Sequence, residues 1–126
     1  MVIADRIEGD RIYLDMLKRV SANYLEWMND ARVTRYLEAR LHQPWVEAEL
    51  QGFIDTHGHF NPNSRLRGIF LKEDNEHIGN IKLDINEKHR FADVGIVLGI
   101  QWQGKGYGPE AINLMSKIAF NGMMLH

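Results

Sequence analysis

The residues best suited to chemistry in this 126-residue chain form a glycine-rich turn at positions 103–109. The turn reads Gln-Gly-Lys-Gly-Tyr-Gly-Pro, so glycine occupies three alternate positions, Gly104, Gly106 and Gly108. A turn without Cβ atoms can direct several consecutive backbone N–H groups toward one point. Pro109 suits the first turn of a helix, whose dipole adds partial positive charge at the same place. These features together predict a cradle for phosphate oxygens at the start of a helix.

Two familiar phosphate-binding motifs do not fit this turn. The Walker motif needs Ser or Thr after Gly-Lys, and Gly106 stands there instead. The dinucleotide fingerprint needs glycine at the place of Pro109, within a parallel βαβ unit. A tight strand-to-helix connection without any ligand stays open as the alternative.

Composition indicates one compact domain over residues 1–126. Hydrophobic residues make up 44% of the chain and charged residues 25%, with a formal net charge of −2, which argues against disorder and non-specific nucleic-acid binding. The absence of cysteine excludes disulfides, thiolate zinc sites and cysteine nucleophiles. No run approaches the ~18 apolar residues of a membrane span, and the N-terminus does not resemble a signal peptide. We therefore expect a cytoplasmic protein with no membrane or nucleic-acid partner.

Hydrophobic spacing in the first half predicts mostly helices. A strand around residues 11–14 is followed by a helix behind Ser21 and a short helical turn over residues 33–37. After Pro44, apolar residues at positions 46, 50, 53 and 54 form the stripe of an amphipathic helix. Residues 57–64 have the composition of a loop.

The second half alternates with the period of strands. Three strands are predicted over about 66–71, 77–85 and 92–99, and their short connections make them an antiparallel meander. The last is almost wholly apolar, which is typical of a central strand. A final helix from Pro109 to Asn121 should bury four residues and end at a C-cap, Gly122. Those four are Ile112, Met115, Ile118 and Ala119. The fold class is α+β, with helices packed on an antiparallel sheet.

The turn and its surroundings resemble a known family. Gln103-x-x-Gly106-x-Gly108, placed after a strand and before a helix, is similar to the acyl-CoA-binding motif of the GNAT N-acetyltransferases. Further segments resemble the RimJ/RimL-type branch, in chain order and over nearly the whole sequence. They are Arg11-Ile-Tyr-Leu, Trp27-Met-Asn-Asp, Val33-Thr-Arg-Tyr-Leu, His77-Ile-Gly-Asn-Ile-Lys-Leu, Ala92-Asp-Val-Gly-Ile and Gly104-Lys-Gly-Tyr-Gly-Pro-Glu-Ala.

The resemblance implies acetyl-CoA as cosubstrate and assigns its binding residues. The diphosphate would lie on the amides of Gly104, Lys105, Gly106, Tyr107 and Gly108, in the motif that Gln103 opens. The pantetheine arm would pair with the strand along Ile96, Val97 and Leu98, as peptides do when they add to a sheet edge. A strand N–H would stabilise the oxyanion, and a primary amine would attack directly, without an enzyme nucleophile. The acceptor would be a protein N-terminus, an amino sugar or another small amine.

An attacking amine must lose a proton, and a carboxylate is the usual acceptor. Asp93 is the best candidate because it lies on the strand that would hold the thioester, although the more ordinary role of such a residue is to start a strand, facing solvent or bonding the neighbouring strand. Asp84, Glu87 and His89 are weaker candidates. His57-Gly-His59 has no patterned carboxylate, so we expect no metal site. Three aromatic residues, Trp27, Tyr36 and Trp45, could line an acceptor pocket or simply pack in the core.

Members of the family continue beyond the equivalent of residue 126, with strands that close the thioester site and carry the general acid. We therefore expect either a C-terminally truncated chain or a homodimer in which a second copy completes the open sheet edge. The alternative function is a catalytically inactive acyl-CoA-binding or assembly module, and a nucleotide-binding regulatory domain is a third possibility.

Overall fold

The structure is a computed structural model that describes residues 6–35, 37, 44–58, 64–86 and 91–123. Its elements, in chain order, are β1 (Ile7–Glu8), β2 (Ile12–Asp15), α1 (Ala22–Met28), α2 (Ala31–Thr34), α3 (Glu47–His57), β3 (Ser64–Leu71), β4 (His77–Asn86), β5 (Phe91–Leu98), a 3-10 turn (Ile100–Trp102) and α4 (Tyr107–Met123). No helix in these described ranges is long and apolar enough to cross a membrane.

All five strands form one antiparallel sheet in the order β1-β2-β3-β4-β5. The α+β class and the meander of β3, β4 and β5 are therefore confirmed. The strand predicted around residues 11–14 is β2, and a short β1 precedes it across the turn at Gly9, whose N–H donates to the Ile12 carbonyl at 2.8 Å.

The sheet has a hydrophobic core on each face because successive strand side chains point to opposite sides. On one face, Ile81 and Leu83 of β4 pack with Ala111 and Met115 of α4. On the other face, α1 and α3 contribute Trp27, Leu50 and Ile54. β4 therefore lies between α4 on one face and α1 and α3 on the other. β5 pairs with β4 on one side and has no partner strand on the other among the described residues.

Among the described residues β5 lies at the edge of the sheet, so its outer side is unpaired, as expected from the sequence for an open sheet edge. Its composition is typical of a central strand, and Val94, Ile96 and Leu98 pack toward α4. The other row contains exposed Asp93 and Gly95.

Helix α4 also differs from its prediction. It begins at Tyr107, two residues before Pro109, and runs through Gly122 rather than ending there. Its buried residues include Ala111 and Met115, whereas Ile112 is 37% exposed. Ala111 and Met115, four positions apart, share the buried face of the helix, so Ile112 points away from it. The side chains of Ile118 and Ala119 lie outside the described residues.

The amphipathic helix predicted after Pro44 is α3. Leu50 and Ile54 are buried as expected, but Val46 is 52% exposed because it is the N-cap and precedes the helix. The loop predicted to begin at His57 starts one residue later, since His57 is the last residue of α3.

Candidate functional site

The glycine-rich turn follows the 3-10 turn after β5 and leads directly into α4. Gly104 has a φ of 76° and Gly106 a φ of 88°. Both angles lie in the left-handed region, where a side chain introduces strain, so glycine is required at these two positions. Gly108 differs from these two, because a Cβ added there would meet the side chains of Leu98 and Ile96 at the ordinary contact distances of 3.5 and 3.7 Å.

The amides of residues 104–108, here called the phosphate cradle, are the groups predicted to bind phosphate. None of these N–H groups has an acceptor within the described part of the chain, and the first bond into the helix is from Glu110 N–H to the Gly106 carbonyl at 3.2 Å. Residues 103–106 are exposed, and α4 extends for 17 residues behind them. Unpaired amides at the start of a long helix fit a phosphate group well.

Arg11 of the β1–β2 turn holds the cradle in place. Its Nε donates to Glu110 Oε1 at 2.9 Å, its backbone N–H to Glu110 Oε2 at 3.1 Å, and its Nη1 to the Lys105 carbonyl at 3.0 Å. Its guanidinium also lies over the Tyr107 ring, 4.4 Å from the centroid. Partial burial opposes ionisation of Glu110, but the hydrogen bonds from Arg11 outweigh it and lower the pKa of this carboxyl below its ordinary value. Sequence reasoning missed this contact, since no local pattern connects residues 99 positions apart.

The backbone of β5 alternates between its neighbour and its outer edge. The Val97 carbonyl packs directly against Gly79 of β4, so the backbone groups of Val97 point toward β4. By the alternation of an antiparallel ladder, those of Ile96 and Leu98 point to the outer edge. Accordingly, Gln103 reaches that edge and its Nε2 donates to the Leu98 carbonyl at 3.0 Å.

This geometry sorts the residues predicted to hold the cofactor. Ile96 and Leu98 offer backbone groups at an edge that has no partner strand among the described residues. Val97 instead directs its side chain toward the α1 and α3 side of the sheet. Gln103 ties the turn to the strand end rather than facing the cradle. Lys105 is exposed beside the cradle amides.

A cavity of about 170 Å³, here called the β5 cavity, opens on the α1 and α3 side of β5. Gly95 lies in its wall and has open space where a Cβ would be. Its lining residues come from six elements or connections: Tyr24, Met28, Leu37, Phe53, Leu66, Asn80, Lys82, Gly95, Ile96 and Val97. Of the three aromatic residues proposed for an acceptor pocket, Trp27 is buried core, Trp45 packs against the same core and Tyr36 is outside the described residues. The sequence missed Tyr24 and Lys82, which only the assembled sheet brings to one wall.

Asp93 lies beyond Gly95 in the same side-chain row and is exposed. Its cross-strand partner is Asp84, whose Oδ2 is 3.2 Å from Lys82 Nζ. Three residues separate Asp93 from Ile96, which is about 10 Å along a strand. A proton would therefore reach this carboxylate from the outer edge through water. The weaker candidates Glu87 and His89 lie outside the described residues.

The metal interpretation of His57 and His59 gains no support. His57 is half-buried against Phe53, and burial together with the charge of Lys82 lowers its pKa. His59 lies outside the described residues, and those that are described contain no cluster of three metal-binding side chains.

Comparison with known proteins places these features in a family. Residues 11–126 match the family described as "Acetyltransferase (GNAT) domain". The spermidine N(1)-acetyltransferase of Escherichia coli (strain K12) is 30% identical over 117 residues, which are 91% of this chain and 60% of that protein. This chain thus spans three-fifths of the length of the curated relative it matches.

Solved structures agree with the fold. An acetyltransferase (GNAT family) from Bacillus anthracis superposes with a TM-score of 0.73 at 21% identity, covering 96% of this chain and 69% of that one. A spermidine N-acetyltransferase chimera that includes the Vibrio cholerae enzyme gives 0.67 at 27% identity, covering 93% and 68%. The cradle, the strand before it and the matched sequence all lead to the same conclusion: this chain belongs to the GNAT acetyltransferase family.

Proposed function

We propose that this chain binds acetyl-CoA on the phosphate cradle and the outer edge of β5, and that it transfers the acetyl group to a primary amine. The observation that carries the proposal is the cradle itself. Its five amides have no acceptor among the described residues, two of its glycines are left-handed, and it directly follows a strand with an open edge.

The chain's own residues supply binding and orientation. The cradle amides would hold the diphosphate, Lys105 would add a positive charge, and the edge groups of Ile96 and Leu98 would pair with the amides of the pantetheine arm. Arg11 keeps the cradle folded through Lys105 and Glu110. Because backbone amides would bind the diphosphate and Arg11 supports the turn from outside, the turn itself needs few polar side chains.

Acetyl-CoA supplies a thioester carbonyl, on which the amine forms the C–N bond while the C–S bond breaks, and coenzyme A leaves as a thiolate that takes a proton from water. The amine gives up a proton in this step, and Asp93 would take it through water, since it is exposed and about 10 Å from Ile96 along the strand. A strand N–H at the open edge would stabilise the oxyanion.

The acceptor classes remain those expected from the sequence: a protein N-terminus, an amino sugar or another small amine. A polyamine joins them because the curated relative is a spermidine N(1)-acetyltransferase. The RimJ/RimL-type assignment and the cytoplasmic location stay predictions.

An inactive acyl-CoA-binding or assembly module is the second candidate. The observation in its favour is that the chain spans 60% of the curated relative, so residues of that relative have no counterpart in this sequence. Such a module would bind coenzyme A without turnover.

Calorimetry and a turnover assay separate the two functions. We expect coenzyme A and acetyl-CoA to bind with similar affinity and ATP much more weakly, and we expect acetyl-CoA consumption with at least one amine of a panel. Binding without consumption would favour the inactive module. Equal affinity for ATP and coenzyme A would contradict both and favour a general nucleotide site.

A further inference from the structure

The β5 cavity has a polar wall whose hydrogen-bonding direction is fixed by a buried chain of side chains. His77 is 8% exposed and its ring stacks on Phe70, 4.9 Å between centroids, with Trp27 against its edge. Burial lowers the pKa of His77, so the ring is neutral near pH 7, with one nitrogen donating and one accepting.

The neighbours of His77 decide which nitrogen carries the hydrogen. Nε2 is 2.7 Å from Asn80 Oδ1, an atom that can only accept, so Nε2 is the donor. Nδ1 is then the acceptor, and Ser21 Oγ donates to it at 2.7 Å. Ser21 can do so because its oxygen accepts the Tyr24 N–H at 3.0 Å as the N-cap of α1.

Asn80 passes this direction on to Tyr24. Its Oδ1 is engaged by His77, so its amide nitrogen is the group left to meet Tyr24, which lines the same cavity wall. Burial raises the pKa of Tyr24 to about 12, and the bond from Asn80 acts in the opposite sense, as a bond accepted by the phenol oxygen must. The phenol keeps its proton near pH 7. Among the described residues no acceptor for that proton is found, so it is directed into the β5 cavity that Tyr24 lines.

Lys82 is the third polar side chain of the described wall. Its ammonium lies 3.2 Å from Asp84 and 5.3 Å from the centre of the Phe53 ring, and it has further N–H groups to donate. The polar side chains of the wall, Tyr24, Asn80 and Lys82, therefore present donors to the cavity. The remaining described wall is mostly apolar: Met28, Leu37, Phe53, Leu66, Ile96 and Val97, with Gly95.

A cavity wall that presents hydrogen-bond donors favours a ligand with hydrogen-bond acceptors. At about 30 Å³ per water molecule, the 170 Å³ of the cavity equal five or six waters, enough for the end of a small molecule. A carbonyl or carboxylate oxygen would satisfy the donors. The protonated nitrogens of a polyamine are all donors and would leave the wall unsatisfied, which is costly for buried groups.

Building on the proposed acetyl transfer, we propose that the acceptor is a primary amine with a carbonyl or carboxylate oxygen on a neighbouring carbon and a short apolar body, such as an α-amino acyl group. Tyr24 donates a hydrogen bond to that oxygen, and Asn80 and His77 are positioning residues that keep the phenol proton pointing at it.

The test uses amines that differ in one carboxamide group, which carries the carbonyl oxygen. Leucinamide and isoamylamine share the same apolar body, and only leucinamide has a carbonyl. Binding to the protein saturated with coenzyme A is measured by calorimetry, and kcat/KM is measured with acetyl-CoA. We expect leucinamide to be preferred over both isoamylamine and spermidine. Tyr24→Phe should weaken leucinamide about three- to tenfold, the range of one neutral hydrogen bond, and leave isoamylamine unchanged.

Two further variants test whether the loss of leucinamide binding is specific to the Tyr24 hydroxyl and its positioning. Tyr13→Phe is the matched control, because Tyr13 is also buried and donates to Asn75 Oδ1 at 2.9 Å, away from the cavity. It should change neither amine. Asn80→Asp replaces the amide donor by an acceptor, which turns the Tyr24 proton away from the cavity. It should reproduce the selective loss of leucinamide while coenzyme A still binds.

Equal treatment of leucinamide and isoamylamine by the wild-type chain would overturn the inference, as would an equal loss in Tyr24→Phe and Tyr13→Phe. Binding of neither amine would also overturn it. If coenzyme A binds and spermidine is the preferred acceptor, the proposed transfer stands and only this inference fails. If coenzyme A does not bind, both fail.

Discussion

Replacing Gly106 by valine is the most direct test of the phosphate cradle. Gly106 has a φ of 88°, a conformation that costs a residue with a Cβ about 1–2 kcal/mol, and more when the side chain is β-branched. The new Cβ would also lie 3.2 Å from Arg11 Nη2. The guanidinium must then shift, and with it the bond that fixes the Lys105 carbonyl.

Both effects act on the cradle and leave the two cores untouched. We expect Gly106→Val to lower the free energy of unfolding by about 1–3 kcal/mol, summing the strain and the partial loss of exposed Arg11 contacts. Coenzyme A affinity should fall at least a hundredfold, since several charge-assisted bonds to the diphosphate, each of about 1.5–3 kcal/mol, would be lost or misaligned together.

Two glycine variants separate the causes. At Gly104 the φ is 76° but no atom lies within 4 Å of an added Cβ, so Gly104→Ala introduces strain without a steric clash and should weaken binding less. Gly52 lies in α3 with open space around it, so Gly52→Ala should stabilise the chain slightly and leave binding unchanged. Calorimetry and urea denaturation measure both quantities. Wild-type coenzyme A affinity in a folded Gly106→Val protein would refute the cradle.

Three other predictions follow from the site. Asp93→Asn should leave coenzyme A affinity unchanged and lower kcat about a hundredfold or more, and an unaltered kcat would remove Asp93 from the reaction. Ionised Glu110 has a lowered folded pKa, so its stabilisation is complete above its ordinary value of 4.5 and is lost as the pH falls through the folded value. Because Arg11 is half exposed, the effect should be at most about 1 kcal/mol. Urea titrations from pH 6 to 3 should show it in the wild type and reduced in Arg11→Met, which keeps the backbone N–H bond to Glu110. If a second copy pairs along the outer edge of β5, coenzyme A should dissociate it, and light scattering that shows one monomeric mass with and without coenzyme A would exclude such pairing.

The sequence predicted the parts of the fold that depend on local patterns. Alternation over β3, β4 and β5 and short polar connections are enough to specify an antiparallel meander. The glycine spacing predicted an unusual turn for a physical reason, since two of the three glycines have a backbone conformation that other residues avoid. The apolar composition of β5 does not indicate whether the strand is central or at an edge, because a strand covered by a helix can be equally apolar in either place.

The sequence indicated the backbone amides of the candidate site but not the side-chain contacts around it. Arg11 and Glu110 meet only because α4 packs on the sheet face to which β2 contributes Ile12 and Leu14. Tyr24, His77 and Asn80 come from α1 and β4, and their direction of donation depends on distances that no spacing rule contains. Residues that act through backbone amides leave a sequence signature in their glycines, whereas residues that act through long-range side-chain contacts leave none.

The alternation of β5 explains how one short strand can serve three tasks. Its outward backbone groups, at Ile96 and Leu98, are available to a cosubstrate, while the side chains of the same two residues pack beside Gly108 and fix the start of α4. Its other row, with Gly95 and Val97, forms the wall of the cavity on the opposite face. A change in the cavity row can therefore alter acceptor choice without disturbing the cradle, because the two sets of atoms point in different directions from a single rigid strand.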